Sequence, residues 1–328
     1  MLAIMAVSAS LVAAHHCAEF RDLPRRFSQP GPSDPPKHRQ ESPAQSLHKY
    51  STGFYAHREV AMETIAGPIL GEGLKMQKMP GHWVLARLGK RVLRPGGMQL
   101  TRTMLAALRI QPADDVVEFA PGMGITAQLT LALRPASYTA VERDSAAAKI
   151  VSGYLKGERQ RCVAGSASDT GLPDQCATVV YGEAMLTMQT NEMKRHIVRE
   201  AYRLLKRGGR YGIHEMCLMS DNLDEDKKKE TEKALIGVVH HGVRPLAVSE
   251  WRSLLESEGF EVQSVDLAQM SLLEPGRLIR DEGFAGTLRF LWNVLRDSEA
   301  RIRVLEMRSV FRRNRHLLGA VAITVSKP

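Results

Sequence analysis

The chain has 328 residues, 44% of them hydrophobic, and is long enough to bury a large core in one domain or two. Its formal net charge of +9 is compatible with nucleic acid or an anionic membrane as a partner. A solvated basic surface is the simpler interpretation, and we favour neither partner. The four cysteines lack the spacing of metal ligands. We therefore expect free thiols, no bound metal and a cytoplasmic location.

Two segments precede the first predicted strand. Residues 1–48 are rich in Pro, Ser and charge after a short apolar start. Such a composition cannot bury enough apolar surface to offset the entropy lost on ordering, so we expect a disordered N-terminal tail. Residues 49–110 carry apolar side chains at helical spacing, interrupted by an Arg-Pro-Gly-Gly turn at 94–97. This pattern predicts an N-terminal helical segment.

From Asp114 onward, short β-branched and apolar runs alternate with helical patterns. The alternation is typical of a doubly wound α/β fold, with a mostly parallel sheet and helices on both faces. The domain would span residues 111–328, with a helical insertion at about 270–316 before a terminal strand. Seven strands are predicted, at residues 116–119, 138–142, 161–164, 177–181, 210–215, 260–267 and 318–327.

The turn after the first predicted strand holds a carboxylate beside glycines. The stretch VVEFAPGMGITA, residues 116–127, satisfies the dinucleotide pattern G-x-G-x-x-[GA] from Gly122 to Ala127. That match is weak, because Glu118 would repel the pyrophosphate of a dinucleotide. A cofactor that carries an ammonium group would instead be attracted to Glu118. The turn therefore favours a cofactor with an ammonium group over a dinucleotide.

These motifs resemble those of the class I S-adenosylmethionine-dependent methyltransferases. Glu118 and the glycines match the first motif of that family, with Ala120 in place of its first glycine. Glu142 matches the acid that ends the second strand, and Gly165 to Asp169, followed by Leu172-Pro173, matches the third motif. The resemblance implies that S-adenosylmethionine is the cofactor. It further implies these cofactor-binding residues: Glu118, Ala120, Gly122, Gly124, Glu142, Ser166, Ala167 and Glu183.

The same resemblance refines the expected fold and the subfamily. It implies a Rossmann-like, seven-stranded methyltransferase sheet whose last strand is antiparallel, with helices before the first strand acting as a lid over the site. In the third motif Ser166 stands where the family has aspartate, so either Ser166 or Asp169 would contact the adenine. The segments at 88–105, 212–218 and 318–327 are similar to bacterial small-molecule methyltransferases of the UbiE-like kind.

The candidate catalytic and acceptor-binding residues follow from their positions after strands. His214 and Glu215 lie at the carboxyl end of the fifth predicted strand, where ligands gather in open α/β sheets. A general base is required only if the acceptor arrives protonated. For each of these two residues a structural role is the alternative. The candidate acceptor-binding residues are Met185, Met188, Met216, His240 and His241.

We expect methyl transfer to a small, apolar or amphipathic acceptor. RNA or protein methylation is an alternative, but the chain has few aromatic residues for base stacking. A non-catalytic, cofactor-binding regulatory protein is a third possibility. The insertion at about 270–316 holds ten arginines against six acidic residues. We interpret it as a solvated helical cover over the site, with contact to lipid headgroups or RNA as the alternative.

Overall fold

The structure is a computed structural model, and it describes residues 74–328. The tail expected at 1–48 and the first part of the helical segment, residues 49–73, lie outside the described residues. Eight strands form one sheet: β1 (Asp115–Phe119), β2 (Ser137–Glu142), β3 (Gln160–Ala164), β4 (Ala177–Glu183), β5 (Leu205–Leu218), β6 (Leu246–Ala247), β7 (Glu261–Gln269) and β8 (Leu318–Ser326).

The sheet has the order β3-β2-β1-β4-β5-β8-β7, and the two-residue β6 pairs with β5 off this path. The strands from β3 to β5 are mutually parallel, whereas β8 runs antiparallel to both of its neighbours. The α/β class, the doubly wound sheet and the antiparallel last strand are thus confirmed. β6 was not predicted, because two residues are too short to show a period. The strand predicted at 210–215 is the middle of the longer β5.

Nine α-helices surround the sheet in the described part of the chain. They are α1 (Gly81–Arg87), α2 (Gly97–Leu108), α3 (Ile125–Ala132), α4 (Ser145–Ser152), α5 (Asn191–Leu204), α6 (Glu225–Val239), α7 (Val248–Ser257), α8 (Pro275–Arg296) and α9 (Ser298–Arg313). Gly283 interrupts α8 with φ 71° and ψ 173°, a backbone conformation that is open essentially to glycine alone. None of these helices is long and apolar enough to span a bilayer.

Apolar residues bury both faces of the sheet. On one face α5 and α7 pack against it, with Ile197 and Trp251 fully covered. On the other face Leu100 and Met104 of α2 pack against β5 and β8. β8 is buried almost throughout, which explains its unbroken β-branched and apolar sequence.

A third core joins α1, α6, α8 and α9 into a helical cover. Arg303 of α9 is buried within it and donates to the carbonyl oxygens of Met76, Gln77, Met79 and Val238 at 2.9–3.2 Å. These four bonds tie α9 to the segment before α1 and to the end of α6. The insertion expected at about 270–316 therefore corresponds mainly to α8 and α9.

A buried ion pair joins the cover to the segment after α1. Lys90 Nζ lies 3.3 Å from Glu282 Oε1, and both side chains are fully buried. The same oxygen accepts from the backbone N–H groups of Arg91 and Val92. The pair fixes residues 90–92 against α8, and these residues lead directly into the site.

Candidate active site

The turn after β1 has the backbone conformation that its glycines predict. Ala120, Gly122 and Gly124 have φ values of 49°, 57° and 69°. A Cβ on Gly122 would meet nothing closer than 4.0 Å, so the space above this residue is open, whereas a Cβ on Gly124 would come within 2.8 Å of the Tyr154 ring. Ala120 adopts the left-handed region at a cost of roughly 1–2 kcal/mol, which explains why the family has glycine there.

Glu142 holds this turn against the end of β2. Its Oε2 accepts from the N–H of Gly122 at 3.0 Å, and its Oε1 accepts from the N–H of Asp144 at 2.9 Å. Asp144 in turn caps α4 by accepting from the N–H of Ala147. The carboxylate at the end of the second strand thus positions the glycine turn.

A cleft of about 460 Å³ opens beyond the carboxyl ends of β1, β2 and β4. Its position at the strand ends and its size are those of a small-molecule site in an open α/β sheet. Most of the sequence-predicted residues lie together in its wall: Glu118, Ala120, Gly122, Glu142, Ser166, Ala167, Glu183, Met185, Met188 and His241. Asp169 is exposed and outside the wall, so the cleft brings in Ser166 and not Asp169.

Glu118 is buried at the base of the cleft. Its Oε2 accepts from the hydroxyls of Tyr138 and Tyr181 at 2.5 and 2.6 Å. Burial raises the pKa of Glu118 to about 7, although the two tyrosine hydroxyls act in the opposite direction. The carboxyl group is therefore poised between its neutral and ionised forms near neutral pH.

Glu183 is the centre of a second buried network. Its Oε1 accepts from Thr126 Oγ1 at 2.5 Å and lies 3.0 Å from Arg94 Nε. Its Oε2 contacts Thr101 Oγ1 at 2.5 Å and His214 Nδ1 at 2.8 Å. Burial alone would raise the pKa of Glu183, but the charge of Arg94 and these hydrogen bonds outweigh it and lower the pKa to about 2. Protein groups thus fill the acceptor positions of Glu183.

Arg94 lines the cleft. Its side chain is 10% exposed, and its Nη1 is buried without a hydrogen-bond partner among residues 74–328. A buried guanidinium N–H without an acceptor is costly. Arg94 Nη1 is therefore a candidate donor to a ligand in the cleft.

His214 and Glu215 lie beneath the cleft and do not line it. The His214 ring contacts Glu183 through Nδ1, and its Nε2 accepts from the N–H of Gly96 at 3.1 Å. Glu215 accepts from three consecutive backbone N–H groups, those of Met185, Leu186 and Thr187, and also from the Thr187 hydroxyl. Both side chains have their hydrogen-bonding positions engaged inside the protein.

A small apolar chamber of about 70 Å³ adjoins the cleft. Met188 and Met216 line it together with residues of the helical cover, including Met307 and Phe311. His82, Leu93, Ala184 and Met188 line both the cleft and the chamber. Of the other predicted residues, Gly124 lies in the turn outside both walls, and His240 is exposed at the end of α6.

His82, which sequence reasoning missed, lies at the junction of the cleft and the chamber. Its Nδ1 is buried without a partner among the described residues, and its ring packs 4.5 Å from that of Trp83 and 6.1 Å from that of His241. Burial, and then the charge of His241, lower the pKa of His82 to about 4. The imidazole is therefore neutral at neutral pH and keeps an unpaired nitrogen.

No signal in the sequence distinguishes His82 and Arg94 from surface residues of a helical lid. Both face the cleft only because the helical cover packs over the strand ends.

Among residues 74–328, no group of three or more His, Cys, Asp or Glu side chains is arranged to hold a metal ion.

Comparison with known proteins agrees with this geometry. Residues 117–213 match the family model of a methyltransferase domain. An uncharacterized protein from Haemophilus influenzae is 30% identical over 251 residues, which cover 75% of this chain and 98% of that protein. The chain therefore belongs to the class I methyltransferases, with its methyltransferase domain at residues 117–213, and is related to the Haemophilus protein.

Solved structures share the fold at low sequence identity. The MccD protein superimposes with a TM-score of 0.57 at 16% identity, over 72% of this chain and 99% of that chain. A phosphoethanolamine N-methyltransferase from Haemonchus contortus, solved with S-adenosylhomocysteine, gives 0.57 at 12% identity over 76% and 57% of the two chains. Geranyl diphosphate methyltransferase, solved with its substrate and sinefungin, gives 0.51 at 14% over 70% and 76%.

Proposed function

We propose that this methyltransferase transfers a methyl group from S-adenosylmethionine to a small, apolar or amphipathic acceptor. One observation carries the proposal: a cleft with charged walls shares four lining residues with an apolar chamber. The cleft suits a polar cofactor, and the chamber suits an apolar group of the acceptor. Solved relatives of the fold that hold S-adenosylmethionine or S-adenosylhomocysteine support the cofactor assignment.

The residues in the cleft wall fit the chemical groups of this cofactor. Glu118 and Arg94 carry opposite charges and would hold the ammonium and the carboxylate of the methionine portion. Glu142 would accept from the ribose hydroxyls, and Ser166 and Ala167 would contact the adenine. The open space above Gly122 admits the body of the cofactor. When bound, the cofactor supplies a methyl group that its sulfonium has already activated.

The protein's part in the reaction would be to position the acceptor, exclude water and accept a proton. Positioning and desolvation supply most of the acceleration in a transfer of this kind. His82 would accept the proton from an acceptor O–H or N–H, because it lines the chamber and its neutral imidazole has an Nδ1 without a partner among residues 74–328. Trp83 and the helical segment before β1 would close the cleft as a lid.

His214 and Glu215 take positioning roles in this proposal. His214 holds Glu183, which pairs with Arg94, and Glu215 holds the turn that carries Met185 and Met188. The acceptor-binding role of Met188, Met216 and His241 agrees with their places in the walls of the chamber or the cleft. Cys162, Cys176 and Cys217 are free thiols, which supports a cytoplasmic location.

Calorimetry with S-adenosylhomocysteine and with NAD tests the cofactor assignment. We expect binding of the first and none of the second, and the reverse result would overturn the whole proposal. Methyl-labelled cofactor, incubated with separated lipid, small-metabolite, RNA and protein fractions, tests the acceptor. Label in the RNA or protein fraction alone would refute the acceptor class and leave the cofactor assignment standing.

A further inference from the structure

The second half of α8 carries an apolar stripe that faces solvent. Leu288 is 59% exposed and Leu295 62%, and the stripe consists of Phe284, Leu288, Leu291, Trp292 and Leu295. At 100° per residue these five side chains fall within one arc of about 100°. Phe290 and Val294, on the other side of the helix, are buried in the cover. This part of α8 is therefore apolar on two faces, only one of which has a partner among residues 74–328.

Arginines border the apolar stripe and acidic residues are absent from it. Arg289 and Arg296 are exposed along one edge, and the Arg296 guanidinium lies 4.8 Å from the centre of the Trp292 ring. No Asp or Glu occurs between Phe284 and Arg296. The neighbouring α9 adds the exposed Ile302 and Leu305. Further exposed arginines follow on and beyond α9, at Arg301, Arg313 and Arg315, whereas Arg312 pairs with Glu274 and α9 also exposes Glu299 and Glu306.

We propose that the apolar stripe is a docking surface for an anionic lipid bilayer. Leucine, phenylalanine and tryptophan on one helical face, with arginine beside them, are the composition of a helix that lies in the headgroup region. The arginines would meet lipid phosphates, and Trp292 would sit at the interface between headgroups and acyl chains. This inference rests on the exposed side chains of α8 and α9 and does not depend on the proposed function.

The same side chains fit other partners less well. In a symmetric dimer through this stripe, Arg289 and Arg296 of one copy would meet the arginines of the other, with no acid in the stripe to pair with them. Single-stranded RNA is bound by several stacked aromatic rings, and the stripe offers only Phe284 and Trp292. An anionic bilayer offers phosphates that can pair with the arginines and an apolar interior that can cover the exposed apolar side chains.

Docking would also have a consequence for the acceptor. Met307 and Phe311 of α9 line the apolar chamber. The chamber and the exposed stripe thus belong to one helical pair. An amphipathic acceptor dissolved in the bilayer would reach the enzyme from the side on which α8 and α9 lie.

Flotation of the full-length protein with lipid vesicles tests the inference. We expect binding to an equal mixture of phosphatidylcholine and phosphatidylglycerol and little binding to phosphatidylcholine alone. The double variant Leu288→Asp, Leu295→Asp should bind the mixed vesicles at least tenfold more weakly. Leu267→Asp is the matched control, because Leu267 is a similarly exposed leucine, 51%, on β7. Calorimetry with S-adenosylhomocysteine shows whether each variant retains its cofactor site.

Three outcomes would overturn the inference. Equal vesicle binding by the double variant and the Leu267→Asp control would remove the stripe from the interaction. Self-association of the wild type in sedimentation, lost in the double variant and without any vesicle binding, would assign the stripe to a second copy. Retention of RNA in a filter assay, again without vesicle binding, would assign it to nucleic acid. Failure to bind S-adenosylhomocysteine would refute the proposed function and leave the vesicle result valid.

Discussion

Glu118 lies buried beside Tyr181, whose hydroxyl donates to Glu118 Oε2 at 2.6 Å. A second donor, Tyr138, reaches the same oxygen. Two neutral donors do not compensate for the loss of water around a carboxylate, so the pKa of Glu118 rises to about 7. A ligand that brings a positive charge to this site, as an ammonium group does, would favour the ionised carboxylate and lower the pKa of Glu118.

The first prediction concerns pH. An ammonium group would be bound by ionised Glu118. Below the pKa of about 7, Glu118 is protonated in most protein molecules and must lose its proton before it can bind the ammonium group. Affinity for S-adenosylhomocysteine should therefore fall roughly tenfold between about pH 8 and about pH 6. Glu183 stays ionised across this range because its pKa is about 2. Calorimetry on Glu118→Gln should give weaker binding with a flat profile, and a wild-type slope in that variant would assign the titration to another group.

The second prediction tests Arg94 as the partner of the cofactor carboxylate. Arg94→Met should weaken S-adenosylhomocysteine binding by about 1.5–3 kcal/mol, the contribution of a charge-assisted hydrogen bond. Methylthioadenosine lacks the amino-acid portion, and its affinity should be unchanged. Arg252→Met is the control, since Arg252 is exposed on α7 and outside the cleft. Equal losses for both ligands in Arg94→Met would mean that the substitution had damaged the whole site.

The third prediction separates the ribose from the amino-acid portion. Glu142→Ala should cost about 2–4 kcal/mol of affinity for both S-adenosylhomocysteine and methylthioadenosine, because both ligands contain ribose. Glu142→Gln should lose less, because an amide oxygen can still accept from the N–H of Gly122. Circular dichroism checks the fold of both variants. Unchanged affinity in a folded Glu142→Ala protein would remove this residue from the cofactor site.

The fourth prediction distinguishes a structural from a catalytic Glu215. In Glu215→Gln one carboxylate oxygen becomes an NH₂ group that faces two donors, so urea unfolding should show a loss of roughly 3 kcal/mol. Cofactor affinity should be retained at a temperature where the variant is folded. Turnover lost without any change in stability would instead support a direct part in the chemistry.

The fifth prediction applies once an acceptor is known. If His82 is the base, His82→Asn should lower turnover far more than cofactor affinity, because His82 lines the apolar chamber proposed for the acceptor. The pKa of about 4 predicts that wild-type turnover controlled by His82 falls only in acid, below about pH 5. His240→Asn is the control, since His240 is exposed at the end of α6. Equal turnover in the two variants would exclude His82 as the base.

Local sequence signals were enough to predict the sheet and the glycine turn. Glu118 is the penultimate residue of β1 and Glu142 the last residue of β2, two strands with apolar sequences, and the glycines of the turn have a specific backbone requirement. The family motifs therefore pointed to seven of the residues that line the cleft: Glu118, Ala120, Gly122, Glu142, Ser166, Ala167 and Glu183. These features depend on residues close together in the chain.

Features that depend on distant partners could not be predicted in this way. His214 does follow the predicted strand, but the N–H of Gly96, 118 positions away, occupies its Nε2. Which face of β5 carries a substrate is decided by what packs over it, and alternation alone does not contain that information. Arg94 and His82 reach the cleft only because the ion pair between Lys90 and Glu282, 192 positions apart, and the packing of α9 fix the segment before α2.

The network around Glu183 has a consequence for the folding of the chain. Thr101, Thr126 and His214 reach this carboxylate from 82, 57 and 31 positions away. Contacts over such separations form only after long loops have closed, and they tend to appear late. The cleft wall should therefore be completed in one of the last steps of folding. Ligand affinity during refolding would then rise only as the native state forms. A bound ligand would therefore stabilise the native state and not the folding intermediates.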